Sequence, residues 1–398
     1  MNDGRHDDVA ATVVRFGVFV AVLICVLGVF VGSTTAQSVE VSDIEDLRDV
    51  SDALDGDYVL VEDIDASEES IEPIGDDDAR FTGSFDGDGN VIAGLTVNGT
   101  DEEFAGLFGY VGSGGTVENV GLENVEVTGG DSTGGLVGRN GGTVRRSHVT
   151  GTVEGGNNVG GVVGRNVGEV SMSYANADVT GRERVGGLVG RNVGSISESY
   201  AIGTAVGNSD VGGAVGNNAG DLTDSYARVN VDTSTRNSGG LVGSNIGGTV
   251  RRTYSAGNVG TATSSGGFVG RNTGEITDSY WDLETAGQAS SNGGVALSTE
   301  EMTGSDALRS MDSLGFDDTW ETDSDGYPVL AWEVHGYDRQ PDMFLPPMED
   351  GEEDEEENET EEEETQEDYQ PPGQPGFGVT AALVALIAGG ALVRGKVA

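Results

Sequence analysis

Lysine is nearly missing from this chain: among 398 residues Lys396 is the only one, and arginine supplies the other 19 bases. With 69 acids against 20 bases the formal net charge is −49, which excludes nucleic acid as an ordinary partner, because phosphate would be repelled. Cysteine is equally scarce. Cys25 lies in an apolar stretch near the N terminus, so the rest of the chain holds neither a disulfide nor a thiolate metal site. Three histidines, His6, His148 and His335, are too few and too scattered for a zinc site, and no HExxH occurs. A phosphate loop is also missing, and no cofactor is expected. Strong helix formers are sparse, which argues against a helical repeat.

Glycine, with 67 residues, is what the chain has in excess, and it recurs with a period. The heptad GGLVGRN at 134 returns as GGVVGRN at 160, GGLVGRN at 186, GGAVGNN at 212, GGLVGSN at 239 and GGFVGRN at 266. The intervals are therefore 26, 26, 26, 27 and 27 residues. Aligned by this period, Leu136, Val162, Leu188, Ala214, Leu241 and Phe268 form one apolar column; Val144, Val170, Ile196, Leu222, Val250 and Ile276 form a second. A third is Val153, Val179, Ala205, Val231 and Val259. Apolar and polar residues alternate inside each phrase, as in GEITDSY, which is the period of a half-buried strand. One such unit cannot bury its apolar side alone. Coiling the chain so that equivalent strands pair in parallel closes a continuous core.

The predicted fold is therefore all-β, a right-handed parallel β-helix of roughly 26-residue coils, with side chains one coil apart ~4.8 Å from each other. Glycines are expected at corners, where positive φ or close approach of coils excludes a Cβ. Asn140, Asn166, Asn192, Asn218, Asn245 and Asn272 fall in register as a stacked amide ladder. His148, Tyr174, Tyr200, Tyr226, Tyr254 and Tyr280 form an aromatic column. These phrases resemble the GLUG-motif family of bacterial and archaeal surface proteins over roughly residues 81–333, from FTGSFDGDGNVIAGLTV at 81 to SYWD at 279 and YPVLAW at 327. The resemblance implies the fold and no particular reaction.

The ends carry other signals. FGVFVAVLICVLGVFV at 16–31, behind Arg15 and before GSTTAQS, reads as a signal peptide (1–36) cut by signal peptidase after Ala36. Residues 38–75 read as an N-terminal cap, with Ile44, Leu47, Val50 and Leu54 on a short amphipathic helix ahead of a strand at 58–64. The repeat occupies 76–280 and a C-terminal cap 281–338, where Trp281, Trp320 and Trp332, all the tryptophans of the chain, suggest an aromatic plug over the last coil. STEEM at 298–302 is a capping-box signal. Residues 339–375 read as an acidic, disordered spacer: 15 of the 69 acids lie in 349–368, leaving 54 elsewhere, so the acidity is global. Pro375, Gly376 and Phe377 open a segment, 376–398, that is apolar over 378–393 and ends in Arg394 and Lys396. That arrangement resembles the PGF-CTERM sorting signal of haloarchaeal surface proteins, which implies an archaeosortase as processing partner and a lipid or membrane anchor. The acidic, lysine-poor composition is similar to that of halophilic archaeal proteins.

Candidate chemistry is thin. DGDGN at 86–90 begins like a calcium loop but has Val91 and Val97 where Gly and Glu belong, so a glycine-rich turn is the simpler reading. Asp76, Asp77 and Asp78 are a second acidic cluster. Glu198, Asp224, Arg252 and Asp278 share one column, and Arg139, Arg165, Arg191 and Arg271 another. Asn98 and Asn358 head glycosylation sequons. The function expected is an anchored structural or adhesive surface rod, non-enzymatic, binding a glycan, a surface-layer protein or other cells. The alternative is a polysaccharide lyase or hydrolase using the acidic column.

Overall fold

The computed structural model describes residues 38–336, apart from 68, 101 and 317. Cys25, the cleavage site at Ala36, the spacer at 339–375 with Asn358 and Pro375, and the segment 376–398 with Gly376 and Phe377 lie outside the described residues. Among the described residues no helix is long and apolar enough to cross a membrane.

The described chain is a parallel β-solenoid of about nine turns. Val39–Val41 pairs with Asp57–Leu60, and the column continues, parallel at every step, through Ser84–Asp86, Thr116–Glu118, Thr143–Arg145, Glu169–Ser171 and Ser195–Ser197 to Glu275–Thr277. This register sets Phe85, Val117, Val144, Val170, Ile196, Leu222, Val250 and Ile276 one above another. A separate sheet of seven strands, from Phe108–Val111 to Val269–Asn272, closes another side. Leu136, Val162, Leu188, Ala214, Leu241 and Phe268 are fully buried between the walls. Each leucine, valine or phenylalanine so removed from water contributes about 1.5–3 kcal/mol, summed coil by coil.

The lengthened intervals are absorbed locally. The register slips opposite Gly207 and Ser209, which face Thr233 and Arg236 in the next coil. At the second insertion Gly247 takes φ +75 with open space where a Cβ would be.

At the N-terminal end a helix at Ile44–Asp49, capped by Asp43 accepting from Glu45 N and Asp46 N, continues into a 3-10 turn at Val50–Asp52. Its buried Leu47 and Val50 face the open end of the first coils, covering edges that would otherwise recruit another strand.

The expectation of a three-tryptophan plug is corrected. Trp281 alone enters the final coil, in the column occupied by Ala201, Ala227 and Ser255 in the coils before it. Trp320 and Trp332 instead lie on the side of the solenoid, in a segment that returns along the tyrosine column. The physical reason is area: four stacked tyrosines, with Tyr280 following in register, offer a far larger apolar face than the end of one coil, so the C-terminal segment buries more by turning back.

Candidate functional site

Every coil stacks the same side chain on its neighbour, so the candidate sites are ladders. The amide ladder is continuous: Asn140 Nδ2 donates to Asn166 Oδ1 at 2.9 Å, and the bond repeats from Asn166 to Asn192, Asn218, Asn245 and Asn272 at 2.8–3.0 Å. The same amides donate to backbone carbonyls, as from Asn192 to Asp221 O at 3.0 Å. Asn140 to Asn245 are fully buried, so the ladder satisfies interior polar groups and faces no ligand.

A second ladder has only a dipeptide, the recurring SY, as its trace in the sequence. Ser147, Ser173, Ser199 and Ser225 are buried, each hydroxyl donating to the carbonyl two residues back while accepting the backbone N–H of its equivalent, or of Val120, one coil before. The residue ahead of each serine takes the left-handed corner: Arg146, Met172, Glu198 and Asp224, and further on Arg252 and Asp278, all have φ between 46° and 51°. The heptad glycines do not, so of the two conditions that exclude a Cβ, positive φ does not apply to them. Their requirement is close approach: a Cβ on Gly135 would sit 2.5 Å from Gly161 O, and one on Gly164 2.6 Å from Gly138 O.

The tyrosine column is stacked nearly flat. Ring centroids are 4.8 Å apart for Tyr174–Tyr200 and Tyr200–Tyr226 and 5.0 Å for Tyr226–Tyr254, with His148 on Tyr174 at 4.9 Å. Tyr280 follows in register. The returning segment, which we call the strap, covers most of this face. It carries the Ser298–Glu301 capping box, a helix at Gly304–Ser310 and an antiparallel pair, Trp320–Glu321 with Val329–Leu330. Trp332 stacks at 5.7 Å on Tyr200, and its Nε1 donates to Glu198 O at 3.0 Å. Tyr254 donates to Pro328 O, Tyr226 to Glu333 Oε2 at 2.9 Å, and Tyr327 to the buried Asp282 at 2.6 Å. Burial raises the pKa of Glu333 and pushes Tyr226 and Tyr254 well above the phenolic range; burial, then the hydrogen bond to Asp282, takes Tyr327 up to about 12.

The acidic column does not form an open pair of carboxylates. Asp224 is ion-paired to Arg252, with Nε 2.6 Å from Oδ1, and lies under Trp320 Nε1. Glu198, one coil away, is raised in pKa by burial and then by Asp224. In DGDGN, Asp86 Oδ1 accepts from Asp88 N and Asn119 Nδ2, and Asn90 donates to Leu60 O. Asp76 Oδ1 accepts from Asp78 N and Ala79 N, and Asp77 pairs with Arg80. Among the described residues no group of three or more such ligands is arranged to hold a metal ion. Asn98 is exposed and accepts from Thr100 Oγ1 at 3.2 Å.

The arginine column runs outward on the seven-stranded sheet in the order Tyr110, Arg139, Arg165, Arg191, Asn217, Ser244, Arg271. Arg139, Arg165 and Arg191 are thus contiguous, and Arg271 is set apart by two neutral rungs. At a coil spacing near 5 Å, two unit charges repel by about 1 kcal/mol in water and about 3 kcal/mol at an effective dielectric constant of 20. Burial first, then Arg165 and Arg184, hold Arg191 below the usual guanidinium pKa.

The GLUG motif matches residues 129–154 and 181–206. Over 141 residues the chain is 39% identical to halomucin of Haloquadratum walsbyi, covering 31% of this chain and 2% of halomucin. It is 38% identical over 96 residues to a Gly-rich membrane protein of Evansella cellulosilytica, covering 22% of this chain and 11% of that protein. The chain therefore spans a small part of either relative. A crystal structure from Bacteroides ovatus named as an immunoglobulin A1 protease matches 75% of this chain and 94% of that chain with a TM-score of 0.53 and 20% identity. At that identity the likeness is one of fold.

Proposed function

We propose that this chain is an exported cell-surface rod, anchored at its C terminus, that works by presenting repeated side chains for multivalent contact with a glycan, a surface-layer protein or another cell. The carrying observation is the ladder geometry: the coil spacing, 4.8–5.0 Å between the covered tyrosine rings, also sets the outward rungs Arg139, Arg165 and Arg191. Such an array turns weak single contacts into avid ones. The partial likeness to halomucin and to a membrane protein supports a place at the surface or membrane. The acidic column gives a hydrolase no support, since Asp224 is tied to Arg252 and the strap lies over it.

In this reading signal peptidase cuts after Ala36, and an archaeosortase exchanges the segment after Pro375-Gly376-Phe377 for a lipid. Mass spectrometry of protein shaved from intact cells and of the membrane fraction tests it. Shaved peptides from 38–336, and a mature C terminus lacking GVTAALVALIAGGALVRGKVA, are expected. Protein recovered only from the cytosol would overturn the surface assignment, and an uncleaved tail would overturn the sorting step.

A further inference from the structure

A chain with 69 acids and 20 bases has carboxylates to spare for neutralising its arginines, and elsewhere it uses them: Arg48 with Glu69, Arg145 with Glu118, Arg252 with Asp224. Among the described residues, Arg139, Arg165 and Arg191 take part in no ion pair, although they stand in three consecutive rungs. The Nε of each is buried without a hydrogen-bond partner, while the side chain is only half-buried. Like charges in adjacent rungs, each with an unused buried donor, are poor design for a structural element. The neighbouring coils show that the fold does not need them, because Asn217 and Ser244 fill the same column.

The surroundings suit a sugar acid. Arg139 lies over the buried rings of Tyr110 at 4.6 Å and Phe104 at 5.7 Å, so the ladder begins against covered aromatic rings. Two residues beyond the arginines, Val167 and Val193 are 43% and 40% exposed, placing an apolar rail beside the cationic one. Arg184, close enough to depress Arg191, is held beside the ladder by donating to Asn158 Oδ1 at 2.8 Å and pairing with Glu183 at 3.5 Å.

We propose that the Arg139–Arg165–Arg191 ladder is a binding strip for an acidic polysaccharide, whose successive carboxylate or sulfate groups are gripped by successive guanidinium forks. The strip names the ligand class for the surface rod and rests on that reading. A planar fork meets a carboxylate or sulfate through two N–H donors, and a fixed rung spacing selects a polymer over a single ion. The anion also cancels the repulsion within the ladder.

The test uses the full chain, at the lowest salt that keeps its strand spectrum native, over immobilised alginate, dextran sulfate and neutral dextran. Binding to either polyanion but not to dextran is expected, and preference between the two distinguishes carboxylate from sulfate. The variant R139Q/R165Q/R191Q should lose at least tenfold in affinity. R236Q/R251Q, which removes exposed arginines elsewhere, should not. Because the substitutions relieve repulsion, the triple variant should melt no lower than wild type, an outcome a structural role would not give; should it misfold, R165Q alone is read the same way. Absence of polyanion binding, or equal losses in both variants, would overturn the proposal. Binding that appears only after deletion of 349–368 would also overturn it, making the chain's own acidic segment the occupant. Surface exposure is measured separately by shaving, so a surface protein without polyanion affinity would refute the strip and leave the rod.

Discussion

Replacing Asn192 by alanine removes the middle rung of the amide ladder. The side chain is fully buried, donates to Asn218 Oδ1 at 2.8 Å and Asp221 O at 3.0 Å, and accepts from Asn166 Nδ2 at 2.9 Å. Three hydrogen bonds at a net value of about 1 kcal/mol each are lost. Asn166 Nδ2 keeps Gly168 O and Ser195 O, but Asn218 Oδ1 loses its side-chain donor, adding about 1 kcal/mol for an under-satisfied buried acceptor. The expected cost is therefore about 3–5 kcal/mol, a large share of the 5–15 kcal/mol typical of a folded domain. Coils touch chiefly their neighbours, so the damage falls on the two interfaces of this one coil and should split a single unfolding transition into two. Urea unfolding of the full chain followed by far-ultraviolet circular dichroism at constant salt measures this, with the exposed Asn176→Ala as control. A cost for Asn192→Ala below about 0.5 kcal/mol, or one equal to the control, would refute the ladder's structural role.

Two further predictions concern the packing and the strap. Gly135→Ala places a methyl 2.5 Å from Gly161 O and Val149 Cγ1, and should destabilise by about 2 kcal/mol or more in the same urea assay; a neutral result would mean the coils are not held at this spacing. Glu333 has its pKa raised by burial, so ionisation opposes docking of the strap fully above the folded pKa, and the penalty is relieved as pH falls through that value toward the unfolded 4.5. Glu198 acts in the same sense, whereas His148, depressed by burial, opposes it as pH falls below 6.5. Tryptophan-fluorescence melts between pH 7 and 4.5 should therefore show a shallower pH dependence in Glu333→Gln, and an unchanged slope would sink this assignment.

The solenoid was legible because a period of 26 or 27 residues carries its own register: once GGLVGRN and GEITDSY are aligned, Val144, Val170 and Ile196 must stack. The rungs at Asn140 to Asn272 and Tyr174 to Tyr280 share that register. The reason for the glycines was not legible, since positive φ and close approach both exclude a Cβ, and only coordinates separate them. The corners went to Arg146, Met172, Glu198 and Asp224, residue types with no common signature. The Ser147–Ser225 ladder was visible as a repeated SY, but hydroxyls on a strand usually signify solvent. The course of the strap lies outside the repeat, and nothing local in Trp320 or Trp332 says which face they meet. Likewise the arginine column is plain in the sequence, whereas its want of carboxylate partners is a fact of three-dimensional placement.

The strap changes how the C-terminal half can come apart. A stack of coils ordinarily frays from its end inward, each coil peeling with the help of none but the next. Here Tyr327 is bonded to Asp282 after the last repeat, Tyr254 to Pro328, Tyr226 to Glu333, and Trp332 lies on Tyr200 and Tyr174. The segment is thus a splint laid across successive rungs. The terminal coil cannot unravel until the splint lifts, and once it lifts several coils lose their support together, so this end of the rod yields as a block.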